Sequence, residues 1–261
     1  MKNFATRHPV LFGLLITLIF LVFVVFAIFI GQLLPKDNGR EGGQAAGRIA
    51  GFLVFLILLN RLGWKKDAGL ISPKGFKPWL IVFIPLAYSI IVFPLIFTGE
   101  WSLNFSDPIL SVLTASNGIS AGLLEEITFR GIVLYGFIRL WGNKKSGMTK
   151  SVVISSLIFG LLHVSNILSG AEVMRVLPQI AYSVLGGVAL GAFVLFCRSI
   201  WPAAAFHCLN NAVVELNRMG KSIELTSLSA VLLGLAALPL ALYGILLLQK
   251  APRRAVVPDV P

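Results

Sequence analysis

The chain has 261 residues, 57% of them hydrophobic and 13% charged, with a formal net charge of +11 and a mean hydropathy of +0.88. That balance excludes a soluble domain and describes an integral membrane protein whose apolar runs fill almost the whole length. The basic residues flank those runs in small groups instead of forming one stripe, which excludes nucleic acid as a partner and points to anionic lipid headgroups.

In chain order, Lys2, Arg7 and His8 precede a first span from Pro9 to Leu34, too long for a cleaved signal peptide. A polar, Gly-rich loop (Lys36 to Arg48) leads to a short second span, Ile49 to Leu62, anchored by Arg61, Trp64, Lys65 and Lys66. After a loop with Pro73 and Gly75, a third span (Pro78 to Thr98) contains Pro85 and Pro94, which mark kinks or breaks. The fourth, Pro108 to Arg139, is too long for one upright helix, so strong tilt, a break near Asn117-Gly118 or a surface segment is expected. Spans five to eight are Ser151 to Ser169, Val173 to Cys197, Pro202 to Leu216 and Leu225 to Leu248, followed by a basic, Pro-rich tail expected to be disordered. Gly187 and Gly191 in the sixth form a Gly-x-x-x-Gly that permits close helix contact.

The expectation is therefore an all-α, polytopic membrane bundle of about eight helices around an intramembrane cavity. Its units are residues 1–107 (the first three helices), 108–217 (helices four to seven, the catalytic core) and 218–261 (the last helix and tail). Most Lys and Arg fall on one side of this arrangement, which places both termini in the cytoplasm; the expected setting is a bacterial cell membrane.

The stretch Gly122 to Gly131 puts Glu125, Glu126 and Arg130 inside an apolar run. Each charge near the bilayer centre costs about 2.5 to 3.5 kcal/mol on insertion scales, so something must use them. Glu126 and Arg130, at i and i+4, share a helix face and can neutralise each other, which leaves Glu125 the freer carboxylate. The plainer reading is an ion-pair cluster that only holds helices together. His163 lies four residues after Phe159, and His207 four before Asn211; a lone intramembrane imidazole can simply bond a neighbouring helix, but two polar groups aimed from one face are harder to dismiss. Counting about 1.5 Å per residue, Glu125, His163, His207 and Asn211 fall at comparable depths and can meet in one cavity. Such a set suits the activation of water: a carboxylate takes a proton, an imidazole positions the water, and a second imidazole with an amide donor stabilises an oxyanion. Gly118-x-Ser120-x-Gly122 fits the serine-hydrolase elbow, but a helical context offers no strand feeding a helix; Gly and Ser packing explains it better. Cys208 and Cys197 read as small buried hydrophobes. Asn166, Ser155 and Ser156 are left without a role.

Glu-Glu-x-x-x-Arg (Glu125, Glu126, Arg130), Phe-x-x-x-His (Phe159, His163) and His-x-x-x-Asn (His207, Asn211), in that order on successive helices, resemble the three motifs of the CPBP family (Abi, type II CAAX prenyl endopeptidase-like) over about Pro108 to Leu216. The resemblance implies a glutamate-dependent intramembrane protease. Glu125 would be the general base, His163 its partner on the water, and His207 with Asn211 the oxyanion or metal-side pair; Glu126, Arg130 and Phe159 would support them. It leaves two chemistries open: a zinc ion held by Glu125, His163 and His207, or direct activation of water without a metal. The implied substrates are membrane proteins or lipid-modified peptides. A non-catalytic immunity or scaffold protein with the same fold is the competing reading, and an ion-coupled transporter a weaker one, since the two halves show no convincing repeat. The oligomeric state has no signature beyond the Gly-rich face of the sixth span.

Overall fold

The computed structural model describes residues 2–34, 38–71, 77–168, 171–221 and 226–252. Among them every regular element is helical: α1 (Lys2–Arg7), α2 (Pro9–Leu33), α3 (Asn38–Arg61), α4 (Lys77–Thr98), α5 (Pro108–Glu126), a π-helix (Ile127–Leu134), α6 (Tyr135–Trp141), α7 (Lys145–Leu161), a 3₁₀ turn (Leu162–Val164), α8 (Ser165–Leu168), α9 (Val173–Cys197), α10 (Trp201–Arg218) and α11 (Ser227–Lys250). Pro73, Gly75 and the tail from residue 253 lie outside the described residues.

Local chemistry sets the boundaries. Pro9 opens α2, where its missing N–H is no loss, and Leu34, held extended by the proline that follows it in sequence, closes it. The Asp107 side chain caps α5 by accepting from Leu110 N at 3.0 Å, with Pro108 in the first turn. Thr226 caps α11 in the same way, accepting from Ser229 N at 3.2 Å.

Among the described residues six helices are long and apolar enough to cross a membrane: Pro9–Leu33, Asn38–Arg61, Trp79–Thr98, Lys145–Ile167, Val173–Cys197 and Ser227–Lys250. By length and composition the expected count of about eight is not confirmed. The two remaining helical units, Pro108 to Trp141 and α10, are present but carry the polar residues that lower their apolarity.

Three local expectations are corrected in whole or in part. The polar, Gly-rich stretch before Ile49 is not a loop, because α3 begins at Asn38 and is helical throughout. A Cβ on Gly47 would lie 2.6 Å from Ala27 Cα and one on Gly43 2.9 Å from Gly31 Cα, so the glycines let α3 lie against α2; that close packing overrides their poor helix propensity. Pro85 and Pro94 do not break the third span, which runs helical through both. The irregularity of the fourth falls at Ile127–Leu134, not at Asn117-Gly118, and it is a π-helix, with i→i+5 bonding, directly after Glu125 and Glu126.

A core of large side chains fixes the centre. Phe20 stacks edge-on against Phe129 (5.2 Å) and Phe129 against Phe159 (5.1 Å), joining α2, the π-helix and α7. Gly187 and Gly191 of α9 face α7, where added Cβ atoms would meet Ser156 Cβ at 3.0 Å and Val152 Cγ1 at 3.1 Å, the close contact their spacing predicts.

Candidate active site

The site is assembled where α5 crosses α10. A Cβ on Gly122 would come within 2.9 Å of Cys208 Sγ and 3.0 Å of its N, and one on Gly118 within 3.0 Å of Ala212 N. Gly118 and Gly122 thus act as a small-residue seam, and Ser120 between them is buried, donating to Asn117 O at 2.9 Å. The elbow-like pattern is a packing device. Cys208 completes the seam by donating to Ile119 O at 3.3 Å.

Because α10 lies so close, His207 reaches both glutamates. Its Nδ1 donates to Glu126 Oε1 at 2.8 Å, and its Nε2 stands 3.5 Å from Glu125 Oε2. Glu126 Oε1 also lies 2.9 Å from Arg130 Nη1, in a pair whose side chains are 1% and 2% exposed. The sequence pairs Glu126 only with Arg130; that it also orients His207 is legible only in three dimensions. The Arg130 guanidinium sits 4.4 Å over the Phe159 ring, and that ring meets both imidazoles edge-on, His163 at 5.4 Å and His207 at 6.1 Å.

His163 stands in the 3₁₀ turn that ends α7, with Nδ1 3.1 Å from Phe159 O and 3.3 Å from Gly160 O. A carbonyl only accepts, so Nδ1 carries the hydrogen, and in the neutral ring Nε2 keeps its lone pair. Glu125, His163, His207 and Asn211 all line one cavity of about 470 Å³, and Phe159 forms part of its wall. Glu126 lies beneath this surface, whereas Glu125 is 19% exposed. Asn166 also lines the cavity, its amide donating to Gln179 Oε1 at 2.9 Å; Ser155 and Ser156 turn their hydroxyls to the Val152 carbonyl.

The cavity has a second polar wall that the motifs do not include. From α3, Glu41, Gln44 and Arg48 face it, and from α5, Asn117. Arg48 Nη1 donates to the Asn117 carbonyl and side-chain oxygens, while Asn117 Nδ2 donates to Glu41 Oε2 (2.6 Å) and Gln44 Oε1 (3.3 Å). The i, i+3, i+7 spacing of these α3 residues is the signal that could have found them, and it was hidden because the stretch reads as a loop. On α10, Asn210 also lines the cavity and accepts from Ser89 Oγ at 2.5 Å.

Among the described residues no group of three His, Cys, Asp or Glu side chains is arranged to hold a metal ion. Glu125, His163 and His207 share the cavity but do not fit a zinc site as they stand, and the chemistry below takes no step through a metal.

Residues 107–213 match the family described as Rce1-like, type II CAAX prenyl endopeptidase Rce1-like. The resemblance drawn from the three motifs is borne out over that segment, which runs from the cap of α5 into α10. No curated protein and no solved structure matches the chain.

Proposed function

We propose, from the Rce1-like match of residues 107–213, that this integral membrane protein is an endopeptidase hydrolysing peptide bonds of membrane-associated or lipid-modified substrates inside the bundle. The observation that carries the reading is the convergence of Glu125, His163, His207 and Asn211 on one cavity from three separate helical segments. Glu125, the more accessible of the two glutamates, takes a proton from a water held by the Nε2 lone pair of His163. The water oxygen attacks the carbonyl carbon; the Asn211 amide donates to the oxyanion, as does the His207 ring when Nε2 carries a proton. Collapse breaks the C–N bond, and the proton on Glu125 passes to the leaving amine. General acid–base catalysis contributes about 10²–10⁴-fold, and an oxyanion donor about 10²–10³-fold.

Glu126 and Arg130 act one layer below. Glu126 holds His207 by Nδ1, and Arg130 balances its charge while packing on Phe159, so both imidazoles keep their orientation. The functional core corresponds to residues 108–217, in a bacterial cell membrane, with both termini in the cytoplasm as the positive-inside rule favours.

The test compares protein N-termini by mass spectrometry in cells carrying the native chain, a deletion, or Glu125→Gln at matched expression. A set of N-termini lost equally in the deletion and in Glu125→Gln supports the protease and names its substrates. A deletion phenotype that Glu125→Gln rescues fully, with N-termini unchanged, overturns it.

A further inference from the structure

The cavity is closed at one end and open at the other. Its floor is the buried set Leu124, Leu190 and Phe206, with Gly187 lying against Ser156 of α7. Further along the π-helix and α9 come Phe129, Ile132 and Phe193, all fully buried. At the other end the lining residues are Arg40, Phe97, Asn166, Gln179 and Arg218, which belong to the beginnings of α3 and α9, the ends of α4 and α10, and α8. Arg40 is exposed there, and the side chains of Arg218 and Glu215 are 38% and 45% exposed. Hydrogen bonds stitch this mouth together: Thr98 Oγ1 donates to Asn217 Oδ1 at 2.8 Å, and the Asn217 amide donates to Glu100 O at 3.1 Å and Ser102 O at 3.0 Å. The two ends of the chain lie on the opposite face. Phe12, near the start of α2, meets Trp64 edge-on at 6.0 Å beyond the end of α3, and Lys145, at the start of α7, donates to the Ala251 carbonyl just past α11.

Charge sorts by face in the same way. Arg61, Lys65, Lys66, Lys144, Lys145 and Lys150 stand on the face of the termini, near helix ends or in the linkers between them. Around the mouth Arg175, Arg218 and Lys221 each have an acid beside them: Glu172 at 3.5 Å, Glu215 at 3.4 Å and Glu100 at 3.0 Å. An excess of Lys and Arg on one side of a membrane protein marks the cytoplasmic side, so the mouth looks the other way. We infer that the cavity draws its peptide from the extracytoplasmic side, and that its substrates are exported segments, either secreted peptides or the outer parts of membrane proteins. This rests on the endopeptidase reading and the orientation proposed above. The depth of the site agrees with it. Asn211 is seven residues before Arg218 on α10, about 10 Å along the axis, so about three extended residues of a peptide reach from the mouth to the reacting groups. The same opening admits the water that each turnover consumes. A segment approaching from the cytoplasm meets the packed floor instead.

The probe is a small, charged, membrane-impermeant methanethiosulfonate, applied to the full chain in intact spheroplasts and in inside-out vesicles. Its target is Gly186→Cys, because Gly186 lines the cavity and a Cβ there meets nothing within 4 Å. Modification is read as protection from a maleimide-polyethylene glycol added after denaturation, and the native chain, whose Cys197 and Cys208 are buried, sets the background. Gly186→Cys should be modified in spheroplasts and spared in inside-out vesicles. Lys144→Cys, exposed on the opposite face, should behave in reverse. Arg40→Cys, at the mouth, carries the same expectation as Gly186→Cys should that variant fail to accumulate. Modification of the cavity cysteine from the cytoplasmic side, from both sides alike or from neither overturns the inference. So does modification of Lys144→Cys in spheroplasts, which turns the mouth to the cytoplasm. The N-termini lost in Glu125→Gln are the second readout and should map to exported segments. A set confined to cytoplasmic segments overturns the substrate class and leaves the protease standing. Access from outside with no N-termini lost keeps the extracytoplasmic cavity and rejects the protease.

Discussion

α2 and α10 are helices of one bundle built to opposite plans. α2 turns Leu14, Leu18, Val22 and Val25 outward and packs Phe12, Ile16, Phe20 and Ala27 inward, so both its faces are apolar. α10 leaves only Leu209 exposed among its large hydrophobic residues and presents His207, Asn210, Asn211 and Glu215 to the cavity. Composition alone passes α2 as a membrane span and rejects α10. The lesson is that a helix surrounded by others obeys a different rule from one that meets lipid: α4, α5 and α9 pack around α10, and its polar groups find partners or line a cavity. The same substitution should therefore have very different effects on the two.

The largest contrast is expected at the cavity. Glu125→Gln and His163→Ala should each lower turnover by about 10²–10⁴-fold with the unfolding temperature nearly unchanged, read from product formation beside thermal unfolding in detergent. A loss of less than tenfold in both would remove the cavity from the chemistry.

Beneath it the effect should shift from turnover to stability. Glu126→Gln leaves the 2% exposed Arg130 without its counter-charge, which should destabilise by about 3–5 kcal/mol and also release His207. Glu126→Leu/Arg130→Met should recover much of that stability and none of the activity. If the double variant is as unstable as the single one, the ion pair is not the reason for the loss.

Next come the seam glycines. Gly122→Ala places a methyl about 3 Å from Cys208 N and Cα, which should cost about 1–3 kcal/mol and lower activity by moving α10 away from Glu125. Ser120→Ala, between the two glycines, removes one bond to a helix carbonyl and should leave activity within about twofold. Loss of activity in Ser120→Ala at normal stability would revive the serine-hydrolase reading.

The smallest effect belongs to the outer face of α2. Leu18→Ala, at a residue 60% exposed, should change stability by no more than about 0.5 kcal/mol. A larger change there would mean that this face is covered by another protein surface.

Much of the site was legible in the chain because its chemistry is expensive in an apolar setting. Glu125, Glu126, Arg130, His163, His207 and Asn211 stand out against their neighbours, and i, i+4 spacing correctly joins Glu126 to Arg130. What was not legible depends on which helix lies against which. Glycines at 43 and 47 look like loop signals until Ala27 and Gly31 are seen beside them. Arg48 reads as a loop cation for that reason, although it faces the cavity. The Glu126 to His207 bond joins residues 81 positions apart, and no local spacing announces it.

The sequence by itself determined the membrane setting, the helical class and the identity of the polar groups, because hydropathy and helical period are local properties read along the chain. Tertiary structure alone decided that α3 starts early, that a π-helix follows the glutamates, that Gly118 and Gly122 form a seam, and that a second polar wall faces the first. The early start of α3, the seam and the second wall follow from close approach between distant segments, where the contact energy of packed backbones and paired charges outweighs the local preferences that a sequence reading has to rely on.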